Sequence, residues 1–182
     1  MFRYIVNGIR YAAKYFCVKA ALGSRFQSVG IGRIEHSVKM LSRESGKIQL
    51  GRRVVISELS KLSSSSGVLE IGDGSFLNRN VLIACHERIS IGKGCLFGPN
   101  CCIYDHNHKV IKGRTCGNEY KTAPVVIGDN CWLGANVVVL KGVTIGEGSI
   151  IAAGCIISED IPPFSMVTSE RRNVVTPLLV DN

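Results

Sequence analysis

Between Ile127 and Pro162 an aliphatic residue returns every six positions, at Ile127, Leu133, Val139, Ile145, Ile151 and Ile157. The second residue of each hexad is small in five of the six, and the fifth is Cys131, Val137, Val143, Ser149, Cys155 or Ile161. A period of six matches neither an amphipathic helix nor an alternating strand. It is an internal repeat, and a repeat decides architecture before any other signal is read. A short strand followed by a tight corner satisfies it, and three such units close a triangular coil. Stacked coils bond to one another at the ordinary strand spacing of roughly 4.8 Å. Each coil then gains its stability from its neighbours.

The frame continues backwards. Ile91, Phe97 and Ile103 open three hexads, Ile71, Leu77 and Ile83 three more, and Leu50, Ile56 and Leu62 a weaker set. Inserts of three, two and eighteen residues separate these sets, at 68–70, 89–90 and 109–126. Every insert follows a third hexad, so all of them leave from one corner of the prism. The expectation is an all-β solenoid of about five coils, with Ile31 opening a partial sixth.

Three segments are expected: residues 1–25, 26–163 and 164–182. The first is a helix. Phe2, Ile5, Ile9, Ala12, Phe16 and the Lys19–Ala20 step form an apolar stripe, with Arg3, Arg10 and Lys14 opposite. The second is the solenoid with its protruding loop at 109–126. The third is a tail carrying Arg171 and Arg172. Residues 1–61 hold twelve Lys and Arg against three acids, within a net charge of +8. That imbalance suits phosphates or an anionic membrane surface, or else a solvated basic face. The helix either packs on the solenoid end or a neighbouring subunit, or lies on such a membrane.

Hydrophobic content of 46% with only 7% aromatic residues fits aliphatic ladders better than a helix-packed core. Four of the eight cysteines, Cys95, Cys101, Cys131 and Cys155, fall at the fifth place of a hexad, and no Cys-x-x-Cys pair occurs. They read as reduced core fillers in a cytoplasmic protein, with no secretory signal and no membrane span expected.

His106 and His108 stand at the root of the eighteen-residue loop. Two residues apart, they share one face of an extended backbone. The pair suits a general base, since imidazole titrates near neutrality. It also suits a metal site completed by Asp105 or Cys116, or a structural pair bonding loop carbonyls.

The hexads, the Asp105-His-Asn-His108 root and the Gly128-Asp-Asn-Cys-Trp-Leu-Gly134 segment resemble the hexapeptide-repeat acyltransferases. Residues 50–163 look most like the sugar O-acetyltransferases of the maltose and galactoside type. That resemblance implies a left-handed parallel β-helix, a homotrimer and active sites between subunits. It implies acetyl-CoA as co-substrate, with His108 as the catalytic base and His106 and Asp105 beside it. The acceptor would meet Asn78 and His86, and His86 replaces a family carboxylate. Trp132 would wall the acetyl site. Backbone groups at Gly134, Ala135, Ala153 and Ser158 would hold the pantetheine arm or the oxyanion. The family's Gly-x-Pro ending is missing, which turns Arg171 and Arg172 toward the CoA phosphate, and Glu159 stands where the family has a lysine. No resident metal and no nucleic-acid partner are implied. The expected reaction is O-acetylation of a sugar or glycan precursor, in the cytoplasm or at the inner face of the membrane. Rival readings are an N-acyltransferase on an amino or nucleotide-linked sugar, a non-catalytic scaffold, and a metal-dependent hexapeptide enzyme of the carbonic-anhydrase kind.

Overall fold

The computed structural model describes residues 2–30 and 32–170, with side chains described from residue 9 onward. Ile31, Arg171 and Arg172 lie outside the described residues.

Helix α1, Phe2–Leu22, caps a parallel β-solenoid of three faces. The first face stacks Phe26–Ser28, Lys47–Leu50, Val68–Ile71, Arg88–Ile91, Val125–Ile127 and Thr144–Ile145. The second stacks Arg33–Ile34, Val55–Ile56, Phe76–Leu77, Leu96–Phe97, Trp132–Leu133, Ile150–Ile151 and Met166–Val167. The third stacks Lys39–Ser42, Lys61–Ser64, Leu82–Cys85, Cys102–Tyr104, Val138–Val139 and Ile156–Ile157. All pairings within the three faces are parallel, each coil bonding to the next.

The hexad frame therefore places the core correctly, and six coils are built where five are plain in the sequence. The additional coil carries Phe26, Ile34 and Met40 inward. Its repeat is masked because Ser28 fills the ladder position opposite Leu50, where later coils have an aliphatic residue. Spacing hides it as well. The second-face ladder Ile34, Ile56, Leu77, Phe97, Leu133, Ile151 steps by 22, 21, 20, 36 and 18 residues. The surplus over eighteen is taken up at the corner between third and first faces.

Each rung is a fully buried side chain, and burial of one aliphatic group contributes roughly 1.5–3 kcal/mol. The small second position of a hexad follows from the coil spacing. A Cβ on Gly98 would sit 2.5 Å from the backbone nitrogen of Ala135, and one on Gly134 2.7 Å from that of Ala153. The fifth position turns the corner and satisfies a carbonyl of the next coil. Ser75 Oγ donates to Gly92 O, Cys95 Sγ to Gly128 O at 3.1 Å, and Cys131 Sγ to Gly146 O at 3.2 Å. Cysteine thus substitutes for serine as a small inward donor, and all eight thiols are free. At the corner after the second face, Asn80, Asn100 and Asn136 adopt φ of 57°, 62° and 59°. Asparagine tolerates that region better than most residues. Their amides form a ladder, with Asn80 Nδ2 donating to Asn100 Oδ1 and Asn100 Nδ2 to Asn136 Oδ1.

Two expectations are corrected. The excursion is ordered as an antiparallel hairpin, His106–Ile111 with Arg114–Thr122. Lys112 and Gly113 both have positive φ, 49° and 76°, the pattern of a two-residue turn matched to strand twist. Helix α1 also turns the other way round. Tyr15, Val18 and Leu22 are its buried residues, packed on the first coil, whereas Ile9 and Phe16 are 64% and 59% exposed. Ala13 and Ala20 complete an outward apolar stripe with them, flanked by exposed Arg10 and Lys19. Aromatic packing decided the orientation: Tyr15 meets the ring of Phe26 edge-on at 5.8 Å. No described helix is long and apolar enough to cross a membrane.

Candidate active site

Asp105 is the residue on which the corner between third and first faces is built. Its position continues a buried column of Ser42, Ser64 and Cys85. The carboxylate has no exposure and accepts the backbone N–H groups of His86, Glu87 and Arg88 at 2.7–2.9 Å. The Asp105 carbonyl accepts the N–H of Ala123 at 2.9 Å, which closes the neck of the hairpin. A buried carboxylate is tolerated only when its lone pairs are filled in this way. Burial, followed by the nearby charge of Asp105, pushes the Cys85 thiol up to about 12.

The fourth contact of Asp105 is His106 Nδ1, 3.1 Å away. A carboxylate only accepts, so Nδ1–H donates to it and Nε2 is the ring nitrogen turned away from Asp105. Asp105 is therefore an anchor that also orients His106. His106 lies in the same corner column as His86, one coil above it, and the two rings are 4.0 Å apart. Burial, then the neighbouring His106, lowers the pKa of His86.

His108 is exposed, and its Nδ1 lies 3.3 Å from the carbonyl of Cys116 across the hairpin. A carbonyl likewise only accepts. Nδ1 is the nitrogen engaged there, and Nε2 is the one left to act as a base. Cys116 meets His108 through its carbonyl, and the Asp105 carboxylate takes four donors. Among the described residues no group of three or more His, Cys, Asp or Glu is placed to hold a metal.

Tyr120 was not foreseen. It stands opposite His108 in the hairpin register and contacts three imidazoles, with centroids 4.1 Å from His86, 5.2 Å from His106 and 4.9 Å from His108. The Lys112-Gly113 turn by itself would set His108 opposite Gly117; the irregularity between His108 and Val110 shifts the register by three residues and brings Tyr120 there instead. Tyr104 approaches His106 edge-on at 6.3 Å, and burial is the first cause holding its phenol up to about 12.

The remaining candidates do not join this cluster within one chain. Ser158 is at the same corner type, two coils further on, and exposed. Asn78, Gly134, Ala135 and Ala153 follow second-face strands and sit at the second corner. Trp132 projects from the second face, 53% exposed. A face is one hexad wide, so at roughly 3.3 Å per residue the two edges are on the order of 15–20 Å apart. Gly134 is also corrected as an oxyanion donor, since its N–H already donates to Ile151 O at 2.8 Å. Asn78 Oδ1 accepts the N–H of Arg79 at 2.8 Å.

Residues 124–159 match the family model described as bacterial transferase hexapeptide (six repeats), and residues 88–103 match hexapeptide repeat of succinyl-transferase. Galactoside O-acetyltransferase of Escherichia coli is 37% identical over 95 residues, which are 52% of this chain and 47% of that protein. The enzyme of that name from Lactococcus lactis is 31% identical over 139 residues, 76% of this chain and 66% of the other. The chain spans about half the length of several curated relatives it matches. Among solved structures, a hexapeptide-repeat acetyltransferase from Vibrio cholerae complexed with acetyl coenzyme A is 28% identical with a TM-score of 0.56, covering 85% of this chain and 71% of that one. AntD, an N-acyltransferase from Bacillus cereus in complex with dTDP and coenzyme A, shares the fold at a TM-score of 0.70 and 19% identity, covering 83% and 82%.

The lowered pKa of His86 has a consequence for stability. The folded state disfavours the imidazolium, so the unfolded chain binds the extra proton as pH falls below about 6.5. Stability is therefore complete above that pH and declines toward the lower folded value. Thermal unfolding from pH 8 to pH 5 should show a falling midpoint, with a shallower fall in His86→Gln. An equal slope in the variant would contradict the assignment.

Proposed function

We propose, from the premise that this chain belongs to the hexapeptide-repeat acyltransferase family, that it transfers an acetyl group from acetyl-CoA to a hydroxyl of a sugar or glycan precursor. The observation that carries the reading is the 3.3 Å contact of His108 Nδ1 with the Cys116 carbonyl, which leaves Nε2 for the acceptor. Nε2 takes the acceptor hydroxyl proton as the oxygen attacks the thioester carbonyl. The tetrahedral intermediate collapses, the C–S bond breaks, and the departing CoA sulfur takes the proton back from the imidazolium. His106, oriented by Asp105, and the Tyr120 ring wall the acceptor side. The galactoside relatives favour O-transfer over N-transfer. An O-acetyl product is lost under mild base, and an amide is not.

The two separated edges favour a homotrimer. Trp132 belongs to an outward column of Val55, Phe76, Leu96, Trp132, Ile150 and Met166, in register along the second face beyond Arg33 of the first coil. Leu96, Trp132 and Met166 are each about half exposed or more. A contiguous apolar stripe of this size marks an interaction surface. Seated against the histidine corner of a neighbour, it brings Trp132 and the Ala135 and Ala153 backbone to His108. Acetyl-CoA then lies along the seam, with Ser158 and the tail residues Arg171 and Arg172 toward its nucleotide end.

The outward stripe of α1, with its flanking cations, supports contact with an anionic membrane surface, and with it a cytoplasmic enzyme at the inner leaflet. Eight free thiols suit a reducing compartment.

His108→Ala should lower turnover about 10²–10⁴-fold while the oligomer stays intact, the usual worth of a general base. Free thiol released from acetyl-CoA against a panel of sugars measures this, and wild-type turnover in the variant would remove the assignment. In co-sedimentation, the full chain should follow vesicles containing anionic lipid, and Phe16→Asp should abolish that. Unchanged partition in the variant would end the membrane reading.

A further inference from the structure

Four described surface arginines hold acidic partners. Arg33 holds Glu35, Arg52 holds Asp73, Arg79 holds Glu58 and Arg88 holds Glu70. Three exposed cations lie together on the early coils of the third face and at its closing corner. Among the described residues, Lys39, Arg43 and Lys61 belong to none of the ion pairs.

Their placement is not random with respect to the active site. Lys39 and Lys61 are register partners, and the same outward column continues to Leu82 and Cys102. Beside it runs the column Leu41, Ser63, Ala84, Tyr104. Extending that register by two residues gives the corner column Arg43, Ser65, His86, His106. Backbone bonds confirm the steps, from Arg43 N to Ser64 O and from Ser65 N to Cys85 O. At roughly 4.8 Å per coil, the Lys61 and Ser65 level is about 10 Å below His106 and the Arg43 level about 14 Å.

Two recesses open on this track and share Lys61. One of about 320 Å³ is lined by Ser37, Lys39, Leu59, Lys61, Asn80 and Leu82, among others. The other, of about 130 Å³, is lined by Leu41, Arg43, Lys61, Ser63, Ser64 and Ser65. Glu44 is the acid beside this corner, near enough for His86 to feel its charge.

We propose that Lys39, Arg43 and Lys61 form a phosphate-binding track and that the acceptor is a sugar carried on a diphosphate. The proposal rests on the transferase reading above and adds the acceptor class to it. The sugar lies against His86, His106 and Tyr120, and the diphosphate extends down the third face to the three cations. Arg43 supplies a fork suited to phosphate oxygens, and the lysines supply point charges. The same diphosphate occurs in nucleotide-linked and lipid-linked sugars.

The test separates the track from the chemistry. Calorimetry on the full-length protein with inorganic pyrophosphate should show binding in the wild type, weakened at least about tenfold in Lys61→Glu and in Arg43→Ala. Arg53→Glu makes the same charge change as Lys61→Glu at a distant corner, and it should bind as the wild type does. Acetyl-CoA titrated into the same variants should bind equally in all, and its failure to bind at all would count against the transferase reading alone. In thiol release, a uridine-diphosphate hexose and a short-chain prenyl-diphosphate hexose compare the two sources with the free hexose. KM for whichever diphosphate sugar is used should rise about tenfold or more in Lys61→Glu, with kcat and the free-hexose rate unchanged. Absence of pyrophosphate binding, equal loss in Arg53→Glu, or a free hexose used as well as both diphosphate sugars would overturn the proposal.

Discussion

Hydrogen bonding between successive parallel coils is the constraint from which the rest follows. Each coil offers its N–H and C=O groups along the solenoid axis, and only another coil in register can accept them. That requirement forces the rise per coil and makes position in the hexad equivalent to position on the prism. It also demands glycine or another small residue where coils approach most closely, as Gly98 and Gly134 do above the Ala135 and Ala153 backbone. Aliphatic ladders fill the interior, while serine and cysteine at the corners satisfy the carbonyls that the turns would otherwise leave unpaired.

A scaffold this regular can carry chemistry only where it departs from the rule. Coil length falls from 22 to 20 residues, expands to 36 at the hairpin and settles at 18, and every surplus residue is placed at one corner. Asp105 makes that possible. Its carboxylate replaces the coil-to-coil bonds lost where the chain leaves the prism, taking three backbone donors and one imidazole. The same residue that permits the hairpin to depart therefore orients the first histidine on it.

The fold was legible because the hexad signal is local and periodic, and Ile127 to Ile157 alone establish it. The first coil was less so, since Ser28 interrupts one ladder and a longer corner breaks the frame. His106 and His108 were legible through their spacing and the odd length of the insert. Tyr120 was not, because its contact with the imidazoles depends on hairpin register, and an irregularity between His108 and Val110 that no motif marks shifts that register by three residues. The orientation of α1 was misjudged for a related reason. Two apolar stripes exist on that helix, and only the site offered by Phe26 selects Tyr15 over Phe16. Asp105 is legible as the neighbour of the two loop-root histidines, but its structural role depends on backbone donors that no motif reveals.

The central claim is that one active site is assembled from two protomers, with His108 from the hairpin corner of one and Trp132 from the second face of the next. Subunit complementation tests it most directly. His108→Ala and Trp132→Ala chains are each prepared alone, then unfolded, mixed and refolded together, and thiol release from acetyl-CoA is measured. The account predicts two weak homo-oligomers and recovered activity in the mixture, from seams where both intact residues meet. Mixed oligomers that form but recover no activity would contradict it.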